Sequence, residues 1–321
     1  MASNRTSLGE FMSTLLITHP ACLEHDTGEY HPECADRLRS VLQALETEEF
    51  AGLHREAAPL ASIEQILRAH SMDHVDFVRD NIPSGEGHSH LDPDTVVCEG
   101  SWEAALRSAG ATVAAVDAVI RGDCRNAFCA VRPPGHHAEH NAVMGFCLFN
   151  NVAIGALHAQ VSHGLKKIAV LDIDVHHGNG TQDIFFDNPG LFYASTHQQD
   201  SFPGTGFAHE TGSAGNIVNI PMHAGAGSDA WREAVSIGIL PRIADFSPDL
   251  IMLSAGFDAH ASDPLAHMRL TTQDFHWITV ELCKLADSFC QGRLVSVLEG
   301  GYDLRALSLS TAAHVRALMG S

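Results

Sequence analysis

The sequence predicts an α/β fold in which a parallel β-sheet carries helices on both faces. Three observations lead there. Short β-branched apolar runs alternate with longer stretches of helical periodicity along the 321 residues, as βαβ units require. Four of those runs lead directly into polar clusters. No linker, repeat or low-complexity tract divides the chain, so one domain is expected over residues 12–321, within the range of a single large α/β domain.

In order along the chain, residues 1–11 are polar, lack the apolar stretch of a signal peptide, and read as a vector-derived or disordered leader before a start at Met12. Residues 15–18 read as a strand. The polar segment 19–37, with Pro20 and Pro32, reads as a long loop feeding a helix over 36–49, where Leu38, Val41, Leu42 and Leu45 fall at helical spacing. Short helices are expected over 60–69 and 72–79. Residues 82–94, rich in Pro, Gly, Ser, His and Asp, form a surface loop and a candidate rim for a binding site. An Ala-rich helix over 102–121 stops at Gly122, and a strand over 126–132 breaks at Pro133 and Pro134. A helix over 152–163 precedes the buried strand 166–170. Further strands are expected at 191–195, 217–220, 250–254 and 294–298. A Gly- and Pro-rich loop fills 198–216, and helices occupy 229–244, 272–289 and the stretch from Leu304.

The formal charge of −20 argues against a nucleic-acid surface, which needs clustered Lys and Arg. It fits either plain solubility or the steering of a cationic ligand. No apolar run is long enough to cross a bilayer. The eight cysteines form no Cys-x-x-Cys pair, and Cys129, Cys147 and Cys283 sit inside apolar runs. They read as reduced residues of a cytoplasmic protein. The 22 histidines are more telling, since imidazoles bind metals and move protons.

The run 166–170 leads into Asp172, Asp174 and His176. Alternation along an extended chain places those three on one face, with Ile173 and Val175 on the other. Unpaired buried charges are costly unless neutralised. A divalent cation relieves that cost, and a hydrogen-bonded Asp/His cluster is the alternative. His136 and His137, Asp258 and Tyr302 occupy the same position after their own strands. The carboxyl ends of parallel strands open on one edge, so four such loops would surround one pocket. Asp174, His176 and Asp258 then supply the three protein ligands of an open, catalytic zinc site with a position left for water. His136 and His137 can take a proton and return it to a leaving amine. Tyr302, on the Gly300-Gly301 turn, can donate to a developing oxyanion. Together they describe amide hydrolysis. Singly, each has another reading: a surface histidine pair, a turn-capping aspartate, a buried tyrosine with a satisfied hydroxyl.

With Pro133 to His137, Gly145 to Cys147, Asp172 to Gln182, Ala255 to Asp258 with Asp263 and Pro264, and Glu299 to Tyr302, the chain resembles the zinc-dependent histone deacetylases. The likeness is to the class II type, including the bacterial histone-deacetylase-like and acetylpolyamine amidohydrolases, and it runs from about Ile17 to the C-terminus. It implies the arginase–deacetylase fold with a central eight-stranded parallel sheet. It further implies zinc on Asp174, His176 and Asp258, with His137 as general base and then acid. His136, paired with Asp172, would be mainly electrostatic, and Tyr302 would polarise the scissile carbonyl. Phe146 and Phe202, beside Gly145, would wall a tunnel for an acylated lysine-like or polyamine-like chain. A structural potassium ion would take Asp172, Ser195 and the backbone of Asp174, His176 and Thr196.

Two departures bear on that expectation. Asn179 stands where class I members carry an aspartate on the second histidine, so the pKa of His137 should be raised less. Leu265 follows Pro264 where the polyamine-selective eukaryotic relative has a glutamate, which lowers the polyamine reading. The expected function is a zinc-dependent deacylase, with a small-molecule amide hydrolase as the alternative. A non-catalytic acyl-lysine binding module would need none of His137, Tyr302 and the ligand set. An arginase-like two-manganese site would need a second set of ligands. The oligomeric state, a homo-oligomer included, is left open.

Overall fold

The computed structural model describes residues 14–320. The expected leader and the start at Met12 lie outside them. The chain runs through β1 (Thr14–Thr18), α1 (Ala35–Ala44), β2 (His54–Ala57), α2 (Ile63–Ile66) and α3 (Met72–Asp80). A small antiparallel pair, β3 (Ser89–His90) and β4 (Val96–Val97), leads to α4 (Ser101–Arg121), β5 (Asn126–Cys129) and α5 (Asn151–His163). Then come β6 (Ile168–Asp172), α6 (Asn179–Phe185), β7 (Leu191–Gln198), β8 (Ile217–Met222), α7 (Ser228–Ala234) and α8 (Leu240–Phe246). The chain closes through β9 (Leu250–Ala255), α9 (Thr272–Phe289), β10 (Leu294–Leu298) and α10 (Leu304–Leu318).

Eight strands form one sheet in the order β2-β1-β5-β10-β9-β6-β7-β8, and every pairing is parallel. The central strands β5, β6, β9 and β10 are buried along their whole length, as continuous apolar runs between two helical layers should be. β5 meets both layers. The Phe128 ring meets His314 of α10 edge-on at 5.3 Å, while α4 also packs against the strand. α10 packs against α9 and α1, and α4 against α5. Among the described residues no helix is long and apolar enough to cross a membrane.

Several elements depart from expectation. The helix expected over 36–49 stops at Ala44 and resumes only as a 3-10 turn at Glu48–Phe50. The helix expected over 60–69 shrinks to Ile63–Ile66, held by a capping box between Ser62 and Gln65. β2 was not expected, because its four residues, His-Arg-Glu-Ala, are all exposed and it pairs at the sheet edge through backbone alone. The expected loop 82–94 contributes β3. The 229–244 helix is instead α7 and α8 joined by a π turn at Val235–Ile239, where Pro241 lacks the N–H that would close the regular ladder. The glycine-rich run after the central motif opens into α6, a helix for which no element was expected.

Candidate active site

β6 ends at Asp172, so pleating does not bring Asp174 and His176 together. Side-chain-to-backbone turns do. Asp172 Oδ1 accepts the Asp174 N–H at 3.1 Å, and Asp174 Oδ1 accepts the His176 N–H at 2.9 Å, the local bonding that aspartate offers a turning chain. Ile173 and Val175 still point into the core, fully buried. Asp258 follows β9, the neighbour of β6 in the sheet, and its Oδ1 accepts the Val175 N–H at 2.7 Å. That bond leaves Oδ2 facing His176.

His176 Nδ1 stands 3.1 Å from Asp174 Oδ1 and 3.1 Å from Asp258 Oδ2. Ligands at about 2.0–2.2 Å from a tetrahedral metal stand about 3.3 Å apart, so the buried trio has the spacing of a ligand set. Electrostatics point the same way. Burial, and then the Asp174 charge, push the Asp258 carboxyl up to about 7. Asp174 is held low against burial by His136 and His176. Burial would lower His176, but its two carboxylates raise it to about 10. Gly300 explains part of the Glu-Gly-Gly-Tyr sequence. A Cβ there would strike Oδ2 of Asp258 and Oδ2 of Asp174, while the Gly300 N–H donates to Asp174 Oδ2 at 2.8 Å. Close approach, rather than flexibility, is what that glycine supplies.

A second His/Asp group, Asp117 with His158 and His163, is built differently. Both Nε2 atoms sit 2.6 Å from the same Asp117 oxygen, which is hydrogen-bond contact. The Arg68 guanidinium donates to His158 Nδ1. It is a polar tie between α4 and α5.

His136 and His137 follow β5. His136 Nδ1 donates to Asp172 Oδ2 at 3.0 Å, and Tyr193 donates to the same oxygen at 3.1 Å. With three donors on it, Asp172 is the carboxylate of the pair. Burial would lower His136, but Asp172 and then Asp174 hold it up at about 10, so it is charged. His137 Nδ1 faces Asn179 Oδ1 at 2.8 Å. Burial, then the His136 and His176 charges, push His137 well below its usual value, leaving it neutral. The two rings lie 4.0 Å apart yet carry opposite protonation states, as an acid/base division of labour requires.

Tyr302 meets the Phe146 ring edge-on at 6.0 Å, and the Arg37 guanidinium lies 4.8 Å above its ring. Burial pushes its phenol well above the ordinary value, so it stays a donor. Phe202 meets His137 at 5.1 Å and His176 at 6.2 Å. Gly145 has φ +55°, and a Cβ there would overlap the His137 ring, so Gly145, Phe146 and Phe202 belong to one constellation with His137. Leu265 is tied in only through its N–H on Asp263 Oδ1 at 3.0 Å, and it is 39% exposed. Of the residues expected at a potassium site, Asp172 and Ser195 are cross-strand neighbours. Ser195 Oγ bonds His197 Nδ1 at 2.9 Å, and Thr196 Oγ1 accepts from Trp231 at 2.8 Å.

Sequence reasoning missed the layer behind these groups. Glu33 is fully buried between Arg37 and Arg132; Arg132 and Arg37 override burial and hold its carboxyl down at about 2. Arg37 donates to Gly301 O at 2.6 Å and to Glu299 O, fixing the turn that carries Tyr302. Asp263 accepts the Tyr302 N–H at 2.7 Å. Glu299 accepts the Gly135 and His136 N–H groups at 2.7 and 3.2 Å, and burial pushes it up to about 7. The available signal was the i,i+4 spacing of Glu33 and Arg37 on a helix start whose next residues, Leu38 and Val41, are core.

The Histone deacetylase domain family model matches residues 31–318. The chain belongs to the histone deacetylase family. It is 39% identical over 331 residues to "Histone deacetylase 14, chloroplastic" of Arabidopsis thaliana, covering 95% of this chain and 77% of that one. It is also 39% identical over 308 residues to a "Histone deacetylase-like amidohydrolase" of Pseudomonas aeruginosa, covering 95% and 79%. Among solved structures it resembles the crystal structure of the HDA15 HD domain, with TM-score 0.90 and 37% identity over 96% of this chain and 90% of that one. The eight-stranded parallel sheet is therefore the arginase–deacetylase fold, and this histone deacetylase family member is a hydrolase of the deacetylase type.

Proposed function

We propose that the chain is a zinc-dependent amidohydrolase that removes an acetyl or other acyl group from an N-acyl-lysine-type amide. The observation that carries this reading is the 3.1 Å spacing of His176 Nδ1 from both Asp174 Oδ1 and Asp258 Oδ2, beside a neutral histidine and a charged one. A zinc ion held by Asp174, His176 and Asp258 would supply the Lewis acid for the scissile carbonyl and for the attacking water. His137, with Nδ1–H bonded to Asn179, presents Nε2 as the general base, and the proton it takes from water goes to the leaving amine. His136 stays charged through Asp172 and stabilises negative charge on the reacting oxygen. The protonated Tyr302 donates a hydrogen bond to the carbonyl oxygen. Water and amide thus yield a carboxylate and an amine. Gly145, Phe146 and Phe202 would flank the acyl-lysine chain, and Leu265 would border its entrance. A potassium ion at Asp172, Ser195 and Thr196 would balance buried charge behind the site.

A second reading is an acetylpolyamine or other small-molecule amide hydrolase, which the formal charge of −20 favours by attracting cationic substrates. One experiment addresses both readings: turnover of an acetyl-lysine peptide and of acetylputrescine, before and after chelation and after zinc is restored. Loss on chelation and recovery with zinc supports the metal assignment, and the ratio of kcat/KM values assigns the substrate. Full turnover by metal-free protein would refute it.

A further inference from the structure

Asn179 can face His137 in two ways, and only one is catalytically useful. With Oδ1 toward His137 Nδ1, as found at 2.8 Å, the imidazole carries its proton on Nδ1 and Nε2 is free to accept one. With the amide reversed, Nδ2 would face Nδ1, the proton would move to Nε2, and the base would be lost. His137 holds no partner that makes this choice. Asn179 Nδ2 does: it donates to Glu139 Oε1 at 2.8 Å and lies 3.3 Å from the His137 carbonyl and from Met144 Sδ. Reversal would put the amide oxygen against the Glu139 carboxylate and a carbonyl, three acceptors with no proton among them.

Glu139 is itself anchored. Its N–H donates to Ala142 O at 2.9 Å, and its carbonyl accepts from His70 Nδ1 at 2.9 Å. The His70 tautomer follows from its other nitrogen, because Nε2 accepts the Asn150 N–H at 2.8 Å. Glu139 lines an open cleft of about 200 Å³ together with Asn179, Gln182, Asp183, Phe186, Thr205 and Glu210. Truncating it would therefore open space to solvent rather than leave a core cavity.

We propose that Glu139 is a positioning residue that acts on His137 through Asn179, selecting the amide orientation and hence the Nδ1–H tautomer. The proposal rests on His137 being the general base, and it extends the charge of the dyad one residue outward, from the amide to the Glu139 carboxylate.

The test combines kinetics with imidazole nitrogen spectroscopy. Histidine-15N-labelled protein, metal-free and zinc-loaded, is examined by two-bond 1H–15N correlation, with the His137 signal assigned by its loss in His137→Gln. In the unmutated protein His137 should show the Nδ1–H pattern. Glu139→Ala should populate the Nε2–H pattern and lower kcat about tenfold, the usual effect of removing an outer hydrogen-bond partner, with KM within about twofold. In an Asn179→Ala background the same substitution should have no further effect. Should Glu139→Ala not fold, Glu139→Gln keeps the size without the charge and should shift tautomer and kcat in the same direction, by less than the alanine variant. Unchanged tautomer and kcat, or an equal loss without Asn179, would overturn the proposal. Failure of the underlying reading looks different: His137→Ala would keep full turnover, while the spectrum would still report whether Glu139 sets the tautomer.

Discussion

Asn179→Asp tests the electrostatic design of the base directly. The substitution places a full negative charge where a neutral amide oxygen now sits, 2.8 Å from His137 Nδ1. Across about 5 Å between charge centres, at an effective dielectric near 20, Coulomb's law gives about 3 kcal/mol, roughly two pKa units in favour of the imidazolium. The second oxygen of the introduced carboxylate would face Glu139, whose Oε1 now lies 2.8 Å from Asn179 Nδ2; two carboxylates that close favour a shared proton, so about 3 kcal/mol is the upper end of the effect. A general base works deprotonated, so activity is present above its pKa and lost as pH falls through it. In the unmutated protein His137 lies well below its ordinary value, first through burial and then through the His136 and His176 charges. Raising it moves the loss to higher pH. The profile of kcat/KM on an acetyl-lysine peptide over about pH 5 to 9 should show its acidic limb displaced upward by up to about two units. A limb that stays in place, or moves toward acid, would refute the assignment of His137 as base and Asn179 as its partner.

Two further outcomes follow from the geometry. Tyr302→Phe removes the phenol donor and leaves the ring contacts with Phe146 and Arg37. It should lower kcat by about two to three orders of magnitude, while a calorimetric Kd for a non-hydrolysed substrate analogue stays nearly constant; loss of binding instead would reassign Tyr302 to the tunnel. Glu33→Ala strands the fully buried Arg37 and Arg132 without their carboxylate. Breaking a buried pair costs about 3–5 kcal/mol, or roughly 4–7 °C in Tm for a chain of this size, and an unchanged melting temperature would show the two guanidiniums to be satisfied by backbone carbonyls alone.

Most of the sheet was legible because its strands are buried on both faces. The runs that became β6, β9 and β10 are continuous and apolar, and a strand of that kind announces itself by composition. The exposed edge strand β2 has no such signature. His54, Arg55, Glu56 and Ala57 are strand only because β1 offers its backbone edge in register, a tertiary fact that propensity does not contain. α6 was hidden for a related reason. Asn179 and Gly180 are poor helix formers, but a Cβ at Gly180 would strike the Ala138 carbonyl, so packing against the histidine loop dictates the residue and overrides propensity.

The site was legible in its chemistry and less so in its mechanics. The residue types after four strands pointed to one edge of the sheet, and the side chains of Asp174, His176 and Asp258 do converge. The reason given by alternation was wrong, since β6 ends before Asp174 and the aspartates build the turns themselves. The outer groups, Glu33, Arg37, Arg132, Glu139 and Asp263, were not legible. Apart from the i,i+4 pair of Glu33 and Arg37, each acts on a partner far away in sequence, and a charged residue has the same appearance in sequence whether it is solvated or buried.

Charge balance links the inner and outer layers. Asp172, Asp174 and Asp258 are fully buried, and the imidazolium of His136 compensates one of them. The two carboxylates that face His176 are offset by a proton on that ring, which they hold up at about 10, or, where the ring turns a lone pair toward them, by a divalent cation. An aspartate in place of Asn179 would add another buried charge beside a base that must stay neutral. The amide avoids that, and the Glu139 carboxylate behind it sits where the cleft admits solvent to screen it. If His137 is the base, the asparagine, the half-buried glutamate and the Asp174, His176 and Asp258 trio are one electrostatic solution, and changing any of them should register first in the protonation of His137.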